Sequence, residues 1–184
     1  RATTVPRRCE KKWQALKREG CRSVVIDQHS EAVTTVQKPS WYPIKSRPTV
    51  AVCGSRKRVN MLGAVTDDGD RLVCLTPDRF TANVSKYFLR ALQYEFGEKL
   101  AVVLDNALYF IAKDLKKQAA ADGLLLIYLP PHSPELNPLE QYCEQLQKGR
   151  ANQLFLTERE RDIKQYLKTV LQDLKLPDIY EFVC

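Results

Sequence analysis

The sequence predicts an α/β fold, a mixed five-stranded sheet flanked by helices, and three observations carry that expectation. Short apolar runs rich in β-branched residues, Ser23-Val-Val-Ile26 and Ala101-Val-Val-Leu104, each end directly on an acid, Asp27 and Asp105. Two further strand-like runs, Arg58 to Thr66 and Arg71 to Thr76, flank Asp67-Asp68-Gly69-Asp70, a composition that closes a hairpin. The later strands alternate with helix-period segments, the pattern of strands joined by helical crossovers.

Taken in order, residues 3 to 20 read as a short charged helix around Trp13, Leu16 and Lys17, ended by Gly20 as its cap. Ser23 to Gln28 is the first strand, and alternation puts His29 on the side of Asp27, where an exposed histidine at a strand end is the simpler expectation. Glu31 to Thr49 contains Pro39, Trp41, Pro43 and Pro48 among basic residues and reads as a long excursion. Trp41 and Tyr42 are expected to cover an edge of the core, with stacking on nucleobases the alternative. From Thr81, a candidate N-cap, to Gly97, the residues Val84, Tyr87, Phe88, Ala91, Leu92 and Phe96 form a core-facing helical stripe. The strand of Asp105 follows, then a helix from about Ile111 to Ala121, and a strand from Leu124 to Leu129 that stops at Pro130-Pro131. Beyond it a helix runs from the Pro138 region to about Leu154, and Thr157 caps a last helix with Ile163, Tyr166, Leu167, Val170, Leu171 and Leu174 as its stripe. Three antiparallel strands, helix, strand, helix, strand, helix is the order expected of a ribonuclease H-like fold. A right-handed crossover then brings the strand of Asp105 beside that of Asp27.

Acids at strand ends and on a neighbouring helix have a chemical use when they converge. Three carboxylates can hold two hard divalent cations, Mg²⁺ or Mn²⁺, about 3.5 to 4 Å apart for in-line phosphoryl displacement. Asp27, Asp105 and Glu140 are the candidate catalytic and metal-binding set. Each has a simpler reading alone. Asn137-Pro138-Leu139-Glu140 is a good helix start with Asn137 as N-cap and Glu140 at the third position, and Asp105-Asn106 is a turn former. Glu135 and Glu144 are the substitutes for Glu140 if the alignment is shifted.

The strand ending Leu104-Asp105-Asn106-Ala107, the run Tyr128-Leu-Pro-Pro-His-Ser-Pro-Glu-Leu-Asn-Pro-Leu-Glu140 and the thirty-four residues between Asp105 and Glu140 together resemble DDE transposases of the mariner type and their bacterial insertion-sequence relatives. Arg56-Lys57-Arg58-Val59-Asn60-Met61-Leu62-Gly63-Ala64 looks like the second strand of that family, so the resemblance covers roughly residues 23 to 152. It implies a catalytic domain that cleaves DNA at element ends and joins it to a target, working as a homodimer on double-stranded DNA. It also implies helix-turn-helix modules ahead of the domain, for which the chain has no room, so an upstream polypeptide is the expected source of end recognition. The sequence departs from the family in having Gln28 after the first aspartate, where an acid is common, and Leu108-Tyr109-Phe110 where a histidine is often found.

Composition agrees with a nucleic-acid partner. The net charge of +7 is concentrated: residues 1 to 22 carry eight Lys or Arg against two Glu, and residues 32 to 66 carry six Lys or Arg and no acid. Lys45, Arg47, Arg56, Lys57, Arg58 and His132 are the candidate DNA contacts. No apolar run approaches the roughly 18 residues of a membrane span, and the basic start is no secretory signal, so a soluble, cytoplasmic protein without a membrane partner is expected, nucleoid-associated if prokaryotic. The six cysteines lie far apart without a C-x-x-C pair and read as reduced thiols, with a zinc site not expected. The expected organisation is a basic linker or arm over residues 1–22, a ribonuclease H-like catalytic domain over 23–155, and a C-terminal helix and tail over 156–184. Two other readings stay open at this point: a truncated, non-catalytic DNA-binding or assembly module derived from a transposase, and a general ribonuclease H-like nuclease.

Overall fold

The structure of the protein, a computed structural model, describes residues 15–16, 18–32, 41–47, 49, 57–76, 78–97, 99–131, 133, 136–137, 139–140 and 160–173. Five strands form one sheet: β1 (Arg22–Ala32), β2 (Arg58–Thr66), β3 (Arg71–Thr76), β4 (Leu100–Leu104) and β5 (Leu125–Tyr128), in the order β3-β2-β1-β4-β5. The first three are antiparallel, and β4 and β5 run parallel to β1. Among the described residues the longer helices are α1 (Ala82–Phe96), α2 (Leu108–Ile111), α3 (Lys113–Ala121) and α4 (Glu160–Asp173). The mixed, helix-flanked, ribonuclease H-like sheet expected from the sequence is therefore present.

Strand alternation decides which residues share a face. Val24 and Ile26 of β1, Leu62 and Ala64 of β2, and Val102 and Leu104 of β4 pack with Phe88, Leu89 and Leu92 of α1, Phe110 of α2, and Leu115 and Ala119 of α3. Residues of the other parity, among them Val25, Met61, Val65, Ala101 and Val103, are buried as well. On that second face α4 lies against β2, with Leu167 fully buried. Both faces are covered, which explains why β1 and β4 are apolar runs rather than alternating ones.

Local chemistry sets the boundaries. Thr81 Oγ1 accepts the Val84 N–H and starts α1 as expected, and Asn137 Oδ1 accepts the Leu139 N–H where the chain turns helical at Leu139 and Glu140. Gly20, at φ 74°, ends the first short helical segment, with the Cys21 N–H donating to the Leu16 carbonyl. The hairpin turn closes through Thr66 N–H to the Asp70 carbonyl at 2.8 Å, with Gly69 at φ 89°.

Several expectations need correction. The first strand does not stop at Gln28: it runs to Ala32, held by antiparallel pairing through Ala32↔Arg58. The helix expected from about Ile111 to Ala121 begins at Lys113, and a separate short helix, Leu108–Ile111, which was not expected, precedes it across Ala112, whose ψ of 133° is extended. Trp41 and Tyr42 do not cover the core: they are 102% and 46% exposed, next to a turn over residues 43–46 closed by Ser46 N–H to the Pro43 carbonyl. The expected helix from the Pro138 region to Leu154 falls beyond Glu140 on residues outside the described set, as do Thr157 and most of residues 1–20.

Candidate active site at the end of the sheet

The parallel β1–β4 ladder ends with the pair Val25↔Val103. Two residues further along each strand, on the same face, stand Asp27 and Asp105. Side-chain alternation and parallel register therefore suffice to put these acids next to each other, on strands about 4.8 Å apart. Both are half-buried. The Gln28 N–H donates to Asp27 Oδ1 at 2.8 Å, and the Ala107 N–H donates to Asp105 Oδ1 at 3.0 Å. Asn106 Nδ2 donates to the Leu129 carbonyl at 2.7 Å, tying the end of β4 to the end of β5 just before the proline run.

Glu140 enters from the other side of that run. Its N–H donates to the Asn137 carbonyl, and its charge acts on Asp27 together with that of Asp105. Burial, with the two neighbouring carboxylates adding to it, pushes the Asp27 carboxyl up to about 7, against opposing contributions from the Gln28 N–H and His29. No ion pair reaches Asp27 or Asp105 among the described residues. Hard oxygen donors whose charges repel one another fit a divalent cation, which offsets that repulsion when bound. Among the described residues, however, no three His, Cys, Asp or Glu side chains form one preformed cation cluster.

Two neighbours outside the acid set also belong to this end of the sheet. His29 is not exposed: its ring nitrogen Nε2 pairs with Glu31 Oε1 at 2.7 Å, and both side chains are largely buried beside Asp27 on the same strand face. The i, i+2 spacing of His29 and Glu31 is the sequence signal for this pair, but it becomes meaningful only once β1 extends past Gln28. Tyr109, in α2, donates its hydroxyl to Gln28 Oε1, and burial together with the fields of Asp105 and Asp27 raises its pKa well above the ordinary phenol value.

Of the candidate DNA contacts, Lys45, Arg47, Lys57 and Arg58 are exposed, whereas Arg56 and His132 lie outside the described residues. Register places Arg58 against Ala32, five residues past Gly63, the partner of Asp27, so Lys57 and Arg58 stand at the sheet end that carries the acids. Arg22, counted with the basic N-terminal arm, is committed to the hairpin turn instead: its guanidinium pairs with Asp68 at 2.8 Å and with Asp70.

A family model described as DDE superfamily endonuclease matches residues 22–161, well over half of the chain. The chain belongs to that family. No curated protein matched the sequence. Among solved structures, the DDE chain is similar to the Mos1 transposase paired-end complex with left transposon end, with a TM-score of 0.71 at 16% identity over 99% of this chain and 60% of that one. It is similar also to the Mos1 mariner paired end complex with Mn, with a TM-score of 0.70 at 16% identity over 98% and 60% of the two chains. The catalytic domain of Mos1 mariner transposase aligns with a TM-score of 0.59 at 14% identity over 98% and 88%. This DDE chain thus spans about 60% of the length of the transposases in the paired-end complexes and most of the isolated catalytic domain.

Proposed function

We propose that the protein is the catalytic domain of a transposase, cutting DNA at the ends of a mobile element and joining the freed 3′ ends to a target. The observation that carries this reading is the placement of Asp27 and Asp105 side by side at the end of the parallel ladder, with the charge of Glu140 acting on the same carboxyl. Asp27, Asp105 and Glu140 are the residues that would hold two Mg²⁺ or Mn²⁺ ions. When bound, such ions activate a water or 3′-hydroxyl and stabilise the leaving oxygen of a phosphodiester.

The chain's own residues supply the rest. The Gln28 and Ala107 N–H groups each hold one oxygen, Oδ1, of their aspartate, which fixes the carboxylates at the end of the sheet. The half-buried setting excludes part of the solvent, which strengthens the attraction between carboxylates and cation. Lys57 and Arg58, at the same end of the sheet, together with Lys45, Arg47, Arg56 and His132, draw the phosphate backbone toward the acids. Mn is present in one of the similar Mos1 complexes and transposon-end DNA in another, which supports both assignments. A homodimer engaging two DNA ends and a helix-turn-helix polypeptide that reads the end sequence complete the proposal, set in the cytoplasm or on the nucleoid. The described residues contain no helix long and apolar enough to cross a membrane.

The test is nicking of supercoiled plasmid in Mg²⁺ or Mn²⁺. Metal-dependent nicks are expected from the wild type and none from Asp27→Asn, Asp105→Asn or Glu140→Gln. Binding of duplex without nicking under any metal favours a non-catalytic DNA-binding or assembly module on the same fold.

A further inference from the structure

We infer that Tyr109 and Gln28 form a strut that sets the spacing of Asp27 and Asp105, making Tyr109 a positioning residue for the metal-binding carboxylates; this rests on the metal-centre reading above. The backbone ladder that locks β1 to β4 ends at Val25↔Val103, so the two aspartates that follow lie beyond its last pair. Like charges on adjacent strands push the two chain ends apart. Just beyond the acids, the Tyr109 hydroxyl donates to Gln28 Oε1 at 2.5 Å, spanning eighty-one residues of sequence.

Both ends of the strut are anchored to the carboxylates they serve. Gln28 is the residue whose N–H holds Asp27 Oδ1. Tyr109 lies two residues after Ala107, whose N–H holds Asp105 Oδ1, and α2 begins between them. The phenol ring is itself fixed, edge-on to Phe110 at 4.6 Å between centroids and tilted against Phe80 at 6.1 Å. Phe110 is buried in the main core, so the strut transmits the position of that core to the sheet end. Gln28 occupies the position directly after the first aspartate as a neutral acceptor, able to take the phenol proton in a hydrogen bond without adding a further charge to the acids.

Tyr109→Phe keeps the ring and removes only the hydroxyl, and Gln28→Leu removes the acceptor. Two readouts test the strut. In metal-free protein, hydrogen exchange of the Gln28 and Ala107 amides should quicken in Tyr109→Phe while the core amides of β4 keep their protection. In a melting-temperature titration with Mn²⁺, the concentration giving half the full shift should rise severalfold, less than the roughly tenfold or larger rise that follows loss of a direct partner of a metal ligand, because Tyr109 acts through Gln28. The double variant should do no worse than Tyr109→Phe alone, because both changes break one interaction. Unchanged amide exchange together with an unchanged Mn²⁺ midpoint overturns the strut, as does an additive double variant. A wild type that shows no Mn²⁺ shift at all defeats the metal-centre reading instead, and amide exchange then still decides whether the strut holds the two strand ends.

Discussion

Asp27 and Asp105 each stand two residues beyond Val25↔Val103, the last pair of the parallel β1–β4 ladder, on the same face of the sheet. The apolar core therefore ends where the carboxyls begin. Val25 and Val103 are fully buried, while the next residues of the same parity are half-buried carboxyls. Such a boundary gives the acids a rigid base and a desolvated setting, but it makes their charge costly in the absence of a cation.

That cost has a pH signature. The folded protein holds the Asp27 proton to about pH 7, whereas an unfolded chain releases it near the ordinary value of about 3.9. Between those values the folded state binds more protons, so the contribution is fully present below about pH 4 and is lost as pH rises through about 7. At 1.36 kcal/mol per unit the loss is at most about 4 kcal/mol. Urea melts in EDTA from pH 4 to 8 should show Asp27→Asn gaining stability relative to the wild type as pH rises. Parallel pH dependence of the two proteins would show that Asp27 is not held protonated.

DNA binding should be electrostatic and only weakly sequence-selective. Replacing Arg56, Lys57 and Arg58 with Gln together should weaken duplex affinity and reduce the slope of log K against log salt by roughly 0.9 for each phosphate no longer neutralised. Fluorescence anisotropy across a salt series measures it. An unchanged slope would remove the start of β2 from the DNA footprint. Arg22 belongs to a different class: Arg22→Gln should leave the slope alone and destabilise the hairpin turn, since its guanidinium is paired with Asp68 and Asp70.

Deleting residues 1–20 should leave a folded, cooperative core. The start of β1 is secured by bonds that the deletion spares: the Arg22 N–H donates to the Lys99 carbonyl, the Asp67 N–H to the Ser23 carbonyl, and the Arg22 side chain to the turn. Thermal unfolding of the truncated chain should remain a single sharp transition. A broad, non-cooperative melt would mean that the segment packs as part of the domain.

Much of this architecture is legible in the sequence because its signals are local. The hairpin follows from Asp67-Asp68-Gly69-Asp70, the start of α1 from Thr81, and the helical turn at Glu140 from Asn137. The pairing of Asp27 with Asp105 needs only strand alternation and a parallel register. What escapes the sequence depends on partners distant along the chain. β1 continues through Gln28-His29-Ser30-Glu31, a polar stretch that reads as strand only because β2 pairs with it and because His29 and Glu31 satisfy each other. The break at Ala112 carries no glycine or proline to announce it, and the reach of Tyr109 to Gln28 joins segments that only the folded sheet brings together.

Whether Asp27, Asp105 and Glu140 form one metal centre is decided by the shift in melting temperature with Mn²⁺ in EDTA-stripped wild type and in Asp27→Asn, Asp105→Asn and Glu140→Gln. At about pH 8, above the value of about 7 to which Asp27 is raised, mutual repulsion of the acids predicts that Mn²⁺ raises the wild-type melting temperature by mass action. Asp105→Asn should be as stable as the wild type without metal, or slightly more so, because a repelling charge has gone and the shape is kept. In all three variants the Mn²⁺ response should be lost or strongly reduced. If these carboxyls served only as a strand-end turn and a helix cap, Mn²⁺ would leave all four melting temperatures where they were, and that result would contradict a shared metal centre.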